Sequence, residues 1–502
     1  MKNQPPLVIK KIEPQRSELN ALLEHFQNKQ YDEAERLAIV LTNKFTTHPF
    51  GWKILGAIFN ITGRLSEGLF ACQKSVELAP ENAEAHYNMG VTLKELGRLE
   101  EAEESYRKTI ILDPNFALAY FNLGNILKEL DRLKEAEVSY TNATMLNPNF
   151  AEAYNNLGST LQELCRLEEA EESYRLAISL NPNFADAHNN LGVVLKKAGK
   201  GQEAEKSYKN AISLAPNFTK AIINKGQLLF ENGQFEEALS DFDLCDTKSS
   251  RSWALSTLYA LGRIDDIYKR INMQPEVDDT NLKIAAFSAF IADREKKDTA
   301  NNFCKNPLEF ISISNISNHI NDSELFITAL IKELSNIKTS WEPYNKATKK
   351  GFQSRVNLFE DPLEKMSYLK SIIIKELDLY YAQFKNKSCV YIQKWPSKKR
   401  LTGWHVILKK HGNQKVHIHP SGWLSGVIYL KVVPTLGKYE GAIEFGLNGK
   451  RYSHVDSPTI IHQPKLGDIV FFPSSLNHST IPFSTDTDRI IVSFDLLPNL
   501  SK

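Results

Sequence analysis

Long apolar runs are missing from this chain. Nowhere in its 502 residues do about 18 apolar residues follow one another, so no membrane-spanning helix is expected. The opening stretch, MKNQPPLVIKKIEPQRSE, lacks the apolar segment of roughly 7–15 residues that a secretory signal needs. Cysteine is scarce too. Cys72, Cys165, Cys245, Cys304 and Cys389 lie far apart with no metal-type spacing, which argues against a disulfide framework and makes a reducing cytoplasm the simplest expected location. Excess charge of either sign is also absent: 61 basic residues meet 60 acidic ones, so neither nucleic acid nor an anionic membrane is expected as the main partner. The length exceeds one ordinary core and predicts two or three domains.

What the chain does have, in its first half, is repetition. Pro80, Pro114, Pro148, Pro182 and Pro216 recur every 34 residues, as do Gly90, Gly124, Gly158, Gly192 and Gly226. Ala102, Ala136, Ala170, Ala204 and Ala238 keep the same step, and so do Tyr106, Tyr140, Tyr174, Tyr208 and Phe242. A unit such as NFAEAYNNLGSTLQELCRLEEAEESYRLAISLNP reads as two amphipathic helices, with small residues where they touch and a proline after the second. One pair cannot bury its apolar face alone, so the units must stack.

The unit resembles the tetratricopeptide repeat over roughly residues 15–248, and WALSTLYALGRIDDIYKRI reads as a shortened closing unit, so the repeat superhelix is expected over 15–271. Asn88, Asn122, Asn156, Asn190 and Asn224 recur at the same period, while the preceding position drifts through Tyr87, Phe121, Asn155, Asn189 and Ile223. An asparagine amide can pair with both backbone groups of an extended peptide. The repeats are similar to those of O-GlcNAc transferase, whose asparagine ladder grips peptide backbone, and the resemblance implies a peptide-binding groove at these five residues with a protein or peptide as partner. The competing reading is that the asparagines were copied by duplication or bond within the solenoid.

After about residue 272 the rhythm stops. A linker is expected at 272–304 and a second domain at 305–498. That domain begins with helical stretches (SELFITALIKELSNI, LEKMSYLKSIIIKELDLYYAQF) and a polar loop, TKKGFQSRVNLFEDP. From 389 short β-rich runs follow, among them CVYIQKW, GWHVILKK, QKVHIH, LSGVIYLKVV, DIVFFP, LNHSTI and RIIVSFDLL. Eight or nine short strands without intervening helices predict a double-sheet jelly roll. The fold class is therefore α + β multidomain: an all-α solenoid followed by a jelly roll with flanking helices. No alternating strand–helix units of the kind sugar-nucleotide transferases use are present.

Seven of the 12 histidines fall between 405 and 478. Strand alternation places His417 and His419 on one face, and His478 on a face with Thr480. Arg489 shares a face with Ile491 and Ser493, and an arginine in so apolar a strand is costly to bury unless it meets an anion.

These residues resemble the signature of the Fe(II)/2-oxoglutarate-dependent dioxygenases: His-x-Asp/Glu, a distal His, then an Arg about ten residues on. Here His417-x-His419, His478 and Arg489 fill those places, and GWHVILKKHGNQKVHIHPSGWLSGVIYL is similar to a bacterial and phage group of such oxygenases fused to tetratricopeptide repeats. The resemblance implies His417, His419 and His478 as metal ligands and Arg489 as the partner of 2-oxoglutarate, with Tyr429 and Ser493 as further candidates for its carboxylate or as ordinary core. It implies Fe(II) and 2-oxoglutarate as cofactor and co-substrate, ascorbate as a candidate addition, and no catalytic side chain beyond the metal site. One departure matters. His419 stands where most of the superfamily has a carboxylate, so three imidazoles would leave one more positive charge on the metal. His-x-His also serves zinc or copper, and His419 could instead sit behind a ligand or touch substrate. His405, His411, His454 and His462 read as surface or pocket-wall residues. Two functions follow as expectations: a hydroxylase whose repeats recruit its substrate, or a non-catalytic repeat scaffold with a degenerate metal-binding cupin-like domain.

Overall fold

Small residues on one helix and rings on the next determine how the repeat helices pair. The computed structural model describes residues 13–273, 278–344, 346–434 and 437–499. The chain divides into two compact units, Met1–Pro216 and Asn217–Lys502. In the first, α1 (Arg16–Gln27) and α2 (Tyr31–Lys44) precede five helix pairs: α3 (Pro49–Ile61) with α4 (Leu65–Leu78), α5 (Ala83–Glu95) with α6 (Leu99–Leu112), α7 (Ala117–Glu129) with α8 (Leu133–Leu146), α9 (Ala151–Glu163) with α10 (Leu167–Leu180), and α11 (Ala185–Lys197) with α12 (Gly201–Leu214). A Cβ built at Gly90, Gly124, Gly158 or Gly192 would stand 2.6, 2.7 or 2.9 Å from a ring carbon of Tyr106, Tyr140, Tyr174 or Tyr208. All four tyrosines are buried. The shared period of glycine and tyrosine thus has one cause: the ring fills the contact only if the facing helix carries no side chain there.

The second unit opens with α13 (Thr219–Glu231), α14 (Phe235–Asp243), α15 (Lys248–Ala260) and α16 (Ile264–Met273). The stretch 272–304, expected as a linker, instead carries the helix Leu282–Glu295, nine of whose residues are buried. Its sequence, LKIAAFSAFIADRE, is apolar nearly all round and so shows no amphipathic stripe. It is enclosed from both sides. Phe287 and Phe290 set their rings 5.0 and 4.8 Å from that of Tyr452 in the β-domain, while Tyr259 of α15 donates to the Ser453 carbonyl at 3.0 Å. The closing helices and the β-domain share one hydrophobic core. The division therefore falls between Pro216 and Asn217 and not at 271–305.

The β-domain is the expected double-sheet jelly roll. Ten strands are described: β1 (Ser312–Asn315), β2 (Thr339–Trp341), β3 (Thr348–Ser354), β4 (Leu401–Gln414), β5 (Leu424–Lys431), β6 (Ile443–Gly446), β7 (Thr459–His462), β8 (Asp468–Pro473), β9 (Asn477–Thr480) and β10 (Arg489–Leu496). The larger sheet runs β1-β8-β5-β10-β4-β3-β2 and the smaller β7-β6-β9. Three local expectations change. TKKGFQS is strand β3, held by its pairing with β4. CVYIQKW contains a short helix, Val390–Gln393, because the Val390 and Tyr391 amides bond to the carbonyls of Asn302 and Phe303. In QKVHIH only Gln414 is strand, the end of β4, and the rest is coil that touches β9 through one bridge, His417 to His478.

Strand alternation sorts the two faces of the larger sheet. Val492, Phe494 and Leu496 of β10, with Ile469 and Phe471 of β8, face the helices Ser323–Leu334 and Glu364–Phe384. Ile491 of β10, with Val470 and Phe472 of β8, faces the interior between the sheets. The candidate site lies on that second face.

Candidate metal centre

The three signature histidines meet. His417, His419 and His478 offer ring nitrogens that all lie within 4.8 Å of one another, with ring centroids 4.3 Å (417–478), 5.0 Å (419–478) and 5.1 Å (417–419) apart. Backbone geometry fixes two of them. His417 and His478 exchange both main-chain hydrogen bonds at 3.1 Å, which locks the loop against β9. The His419 amide bonds the Ser474 carbonyl at 3.0 Å.

The outward nitrogen of each ring faces an acceptor. His417 Nδ1 lies 2.7 Å from the Lys415 carbonyl, His478 Nδ1 3.1 Å from the Leu476 carbonyl, and His419 Nδ1 2.6 Å from Asp495 Oδ1. These partners assign the proton to Nδ1 in every ring and leave Nε2 as a lone pair. His417 Nε2 and His419 Nε2 then face each other at 3.2 Å, two acceptors without a proton between them. That separation matches two ligands each about 2.1 Å from one ion at roughly a right angle. Burial pushes the His417 pKa down to about 4 and holds His478 well below its ordinary value, so both rings are neutral, the form that binds metal. The donor set fits a borderline divalent ion such as iron(II), and equally zinc or copper.

Arg489 opens β10 on the same inner face and is 1% exposed. Its Nη1 donates to Thr480 Oγ1 at 3.2 Å and its Nη2 to Tyr429 Oη at 3.3 Å, while Nε has no partner. Burial drives its pKa down from the ordinary value. Among the described residues no carboxylate pairs with it: Asp495, on the same strand face, bonds His419, and Glu444 accepts from Ser479 Oγ at 3.4 Å. A fully buried guanidinium with an unpaired donor and no carboxylate is what a dicarboxylate's far end would complete. Thr480 follows His478 by two residues on the same strand face, so the guanidinium's hydroxyl partner lies about 7 Å along β9 from the candidate ligand.

Tyr429 Oη thus touches the Arg489 guanidinium, whereas Ser493 does not. Ser493 is buried four residues further along β10, opposite Trp404 and Val427, with no hydrogen bond to Arg489 among the described residues. Thr480 Oγ1 is the second hydroxyl at the guanidinium. The residues least visible beforehand are Asp495, Ser425 and Ser474 behind His419, and Trp404, half-buried with its ring 5.5 Å from that of His419. Alternation along β10 aligns Asp495 with Arg489, which is the only advance signal for any of them.

The remaining histidines of the domain do other things. His462 pairs with Asp468 at 3.0 Å, and the His454 backbone amide donates to Asn448 Oδ1 at 2.8 Å. His411 adopts a left-handed turn conformation. His405 is buried with Nδ1 unpartnered, and burial pushes its pKa down to about 4. Because an unfolded histidine titrates near 6.5, the fold keeps its full stability above that pH and loses it as pH falls toward 4, by up to ~3 kcal/mol from this residue. Thermal unfolding at pH 7 and pH 5 should show a smaller drop for His405→Leu than for the parent protein. Equal drops would assign the acid sensitivity elsewhere.

The asparagine ladder lies on the first helices of the repeats, every member half-buried. Asn122 Nδ2 donates to Tyr87 Oη at 3.0 Å, Asn156 Nδ2 to Asn125 Oδ1 at 2.9 Å, and Asn190 Nδ2 to Asn155 Oδ1 at 3.1 Å. These bonds link the first helices of successive repeats, so bonding within the solenoid occupies part of each amide. Asn224 holds the equivalent position on α13 of the second unit.

Residues 402–495 match the family model described as "Putative 2OG-Fe(II) oxygenase". Tetratricopeptide-repeat models match residues 83–116, 151–184 and 185–218, with overlapping matches at 105–138 and 124–164. No curated protein matches the chain. Among solved structures, MamA is 29% identical, covering 32% of this chain and 94% of that one with a TM-score of 0.31. YrrB, a repeat protein with an unusual peptide-binding site, is 22% identical over 37% and 95% (TM-score 0.34). PilF of Pseudomonas aeruginosa is 22% identical over 41% and 96% (TM-score 0.36).

Proposed function

We propose that the β-domain is an iron(II)- and 2-oxoglutarate-dependent hydroxylase and that the repeats recruit its substrate, a protein or peptide, in the cytoplasm. One observation carries the reading: Arg489, buried and without a carboxylate among the described residues, stands on the same inner surface as three imidazoles whose ring nitrogens lie within 4.8 Å of one another. In a metal protein without an anionic co-substrate such a guanidinium would carry an uncompensated burial cost.

The Nε2 atoms of His417, His419 and His478 hold the metal, oriented by the acceptors behind them. Arg489, Tyr429 and Thr480 hold the far carboxylate of 2-oxoglutarate. The apolar residues Val470, Phe472, Phe445 and Ile491 line the same interior and keep water from it. When bound, iron(II) and 2-oxoglutarate supply with dioxygen an oxidant for unactivated C–H bonds, the co-substrate leaving as succinate and carbon dioxide. Asn122, Asn156 and Asn190 each spend one of two amide N–H donors in the bonds described, which leaves the second for a peptide carbonyl.

Succinate formation tests the reading. Purified full-length protein given iron(II), 2-oxoglutarate and oxygen should release succinate above a metal-free control. The scaffold alternative is favoured by one feature, the missing ligand carboxylate, and would be supported by metal binding with no succinate under any condition.

A further inference from the structure

We infer that Asp495 is a positioning residue that places, behind His419, the negative charge the ligand set lacks. The inference rests on the metal reading above and extends it to a residue that does not touch the ion. Asp495 is 6% exposed. Its Oδ1 accepts from His419 Nδ1 at 2.6 Å and from Ser425 Oγ at 2.7 Å, and Ser425 Oγ lies 2.8 Å from Ser474 Oγ. The backbone is cut to fit this cluster: a Cβ at Gly422 would stand 2.6 Å from Ser474 Oγ and 3.0 Å from Asp495 Cγ.

Among the described residues no lysine or arginine pairs with Asp495; its one ion-pair contact is His419. A buried carboxylate is costly unless positive charge lies close by, and the group between Asp495 and the site's centre is the His419 ring. The far side of the ring carries Nε2, where the metal belongs. The chain thus moves the signature's carboxylate one ring back and spans the gap with imidazole. The same strand face carries the complementary case. Among the described residues Arg489 is a buried cation without an anion, and six residues of extended strand, about 20 Å, keep it from neutralising Asp495. A divalent ion and a dicarboxylate would complete the set: two positive charges on the ion and one on Arg489 against two negative charges on the co-substrate and one on Asp495.

The test is a double-mutant cycle read by metal binding in the metal-free full-length protein, with Co(II) as an oxygen-stable probe whose visible absorption reports the ligand set. Asp495→Asn keeps the shape and an acceptor oxygen while removing the charge, and should weaken Co(II) binding 10- to 100-fold, roughly the loss expected for a partner behind a ligand. His419→Asp returns the carboxylate to the ligand position. In that background Asp495→Asn should bring no loss, because two carboxylates would otherwise face each other. Ser425→Ala, which frees Asp495 from its hydroxyl, should give an intermediate loss in the parent background and replaces the cycle if His419→Asp does not fold. Unchanged affinity in Asp495→Asn, or an equal loss in both backgrounds, would overturn the inference while leaving the metal site standing. Absence of Co(II) binding in the parent protein would overturn both.

Discussion

Replacing Arg489 by alanine should raise the concentration of 2-oxoglutarate needed for half-maximal succinate release by two or more decades and leave metal affinity nearly unchanged. The size follows from burial. A charge-paired contact without solvent is worth about 3–5 kcal/mol when one partner is removed, and Arg489 is 1% exposed. The selectivity follows from its contacts: the guanidinium reaches Thr480 and Tyr429 and none of the three histidines. Arg489→Lys should recover only part of the loss, since an ammonium lacks the planar fork that grips a carboxylate with two parallel bonds. The measurement is a titration of 2-oxoglutarate at saturating iron, with Co(II) affinity measured in parallel. A half-maximal concentration unchanged in Arg489→Ala would make the residue structural and leave a three-histidine metal protein of another kind.

His478→Ala should abolish iron binding at micromolar metal, a loss of about 3 kcal/mol or more for one of several ligands. The fold should survive. His478 is held in β9 by main-chain bonds to His417 and by the pairing of β9 with β6, neither of which needs the imidazole. The ring also packs against Phe472 at 4.5 Å, so some thermal stability will be lost with it. His462→Ala is the matched control, because that ring is occupied by Asp468 and should leave metal affinity intact. Retained iron affinity in His478→Ala would mean that the ring nitrogens of His417 and His419 act with a ligand other than this one.

Much of the architecture was legible in the amino-acid order, for reasons that differ between the halves. Period 34 in glycine and tyrosine is readable because the same contact is made again and again, and the structure shows that contact as a ring against a bare helix backbone. The signature histidines and Arg489 were legible because each is a polar residue set into a run whose alternation is otherwise apolar. Residues 282–295 were not, since a helix buried on every side has no periodic stripe to detect. The short helix at Val390 was missed for a related reason: β-branched and aromatic residues favour a strand, and bonds to Asn302 and Phe303 override them.

The sequence by itself determined that repeated helix pairs must stack, that a jelly roll follows, and that three histidines and one arginine are the residues to watch. Local spacing and periodicity carry that information. Tertiary structure alone decided which partners those residues keep. It set Asp495 behind His419, brought Thr480 to the guanidinium in place of Ser493, and assigned the proton on each imidazole through the acceptor at its back. Pairings of this kind depend on which strands lie side by side across dozens of residues of chain, and on the direction a ring turns within a closed interior. No local pattern in a sequence encodes either.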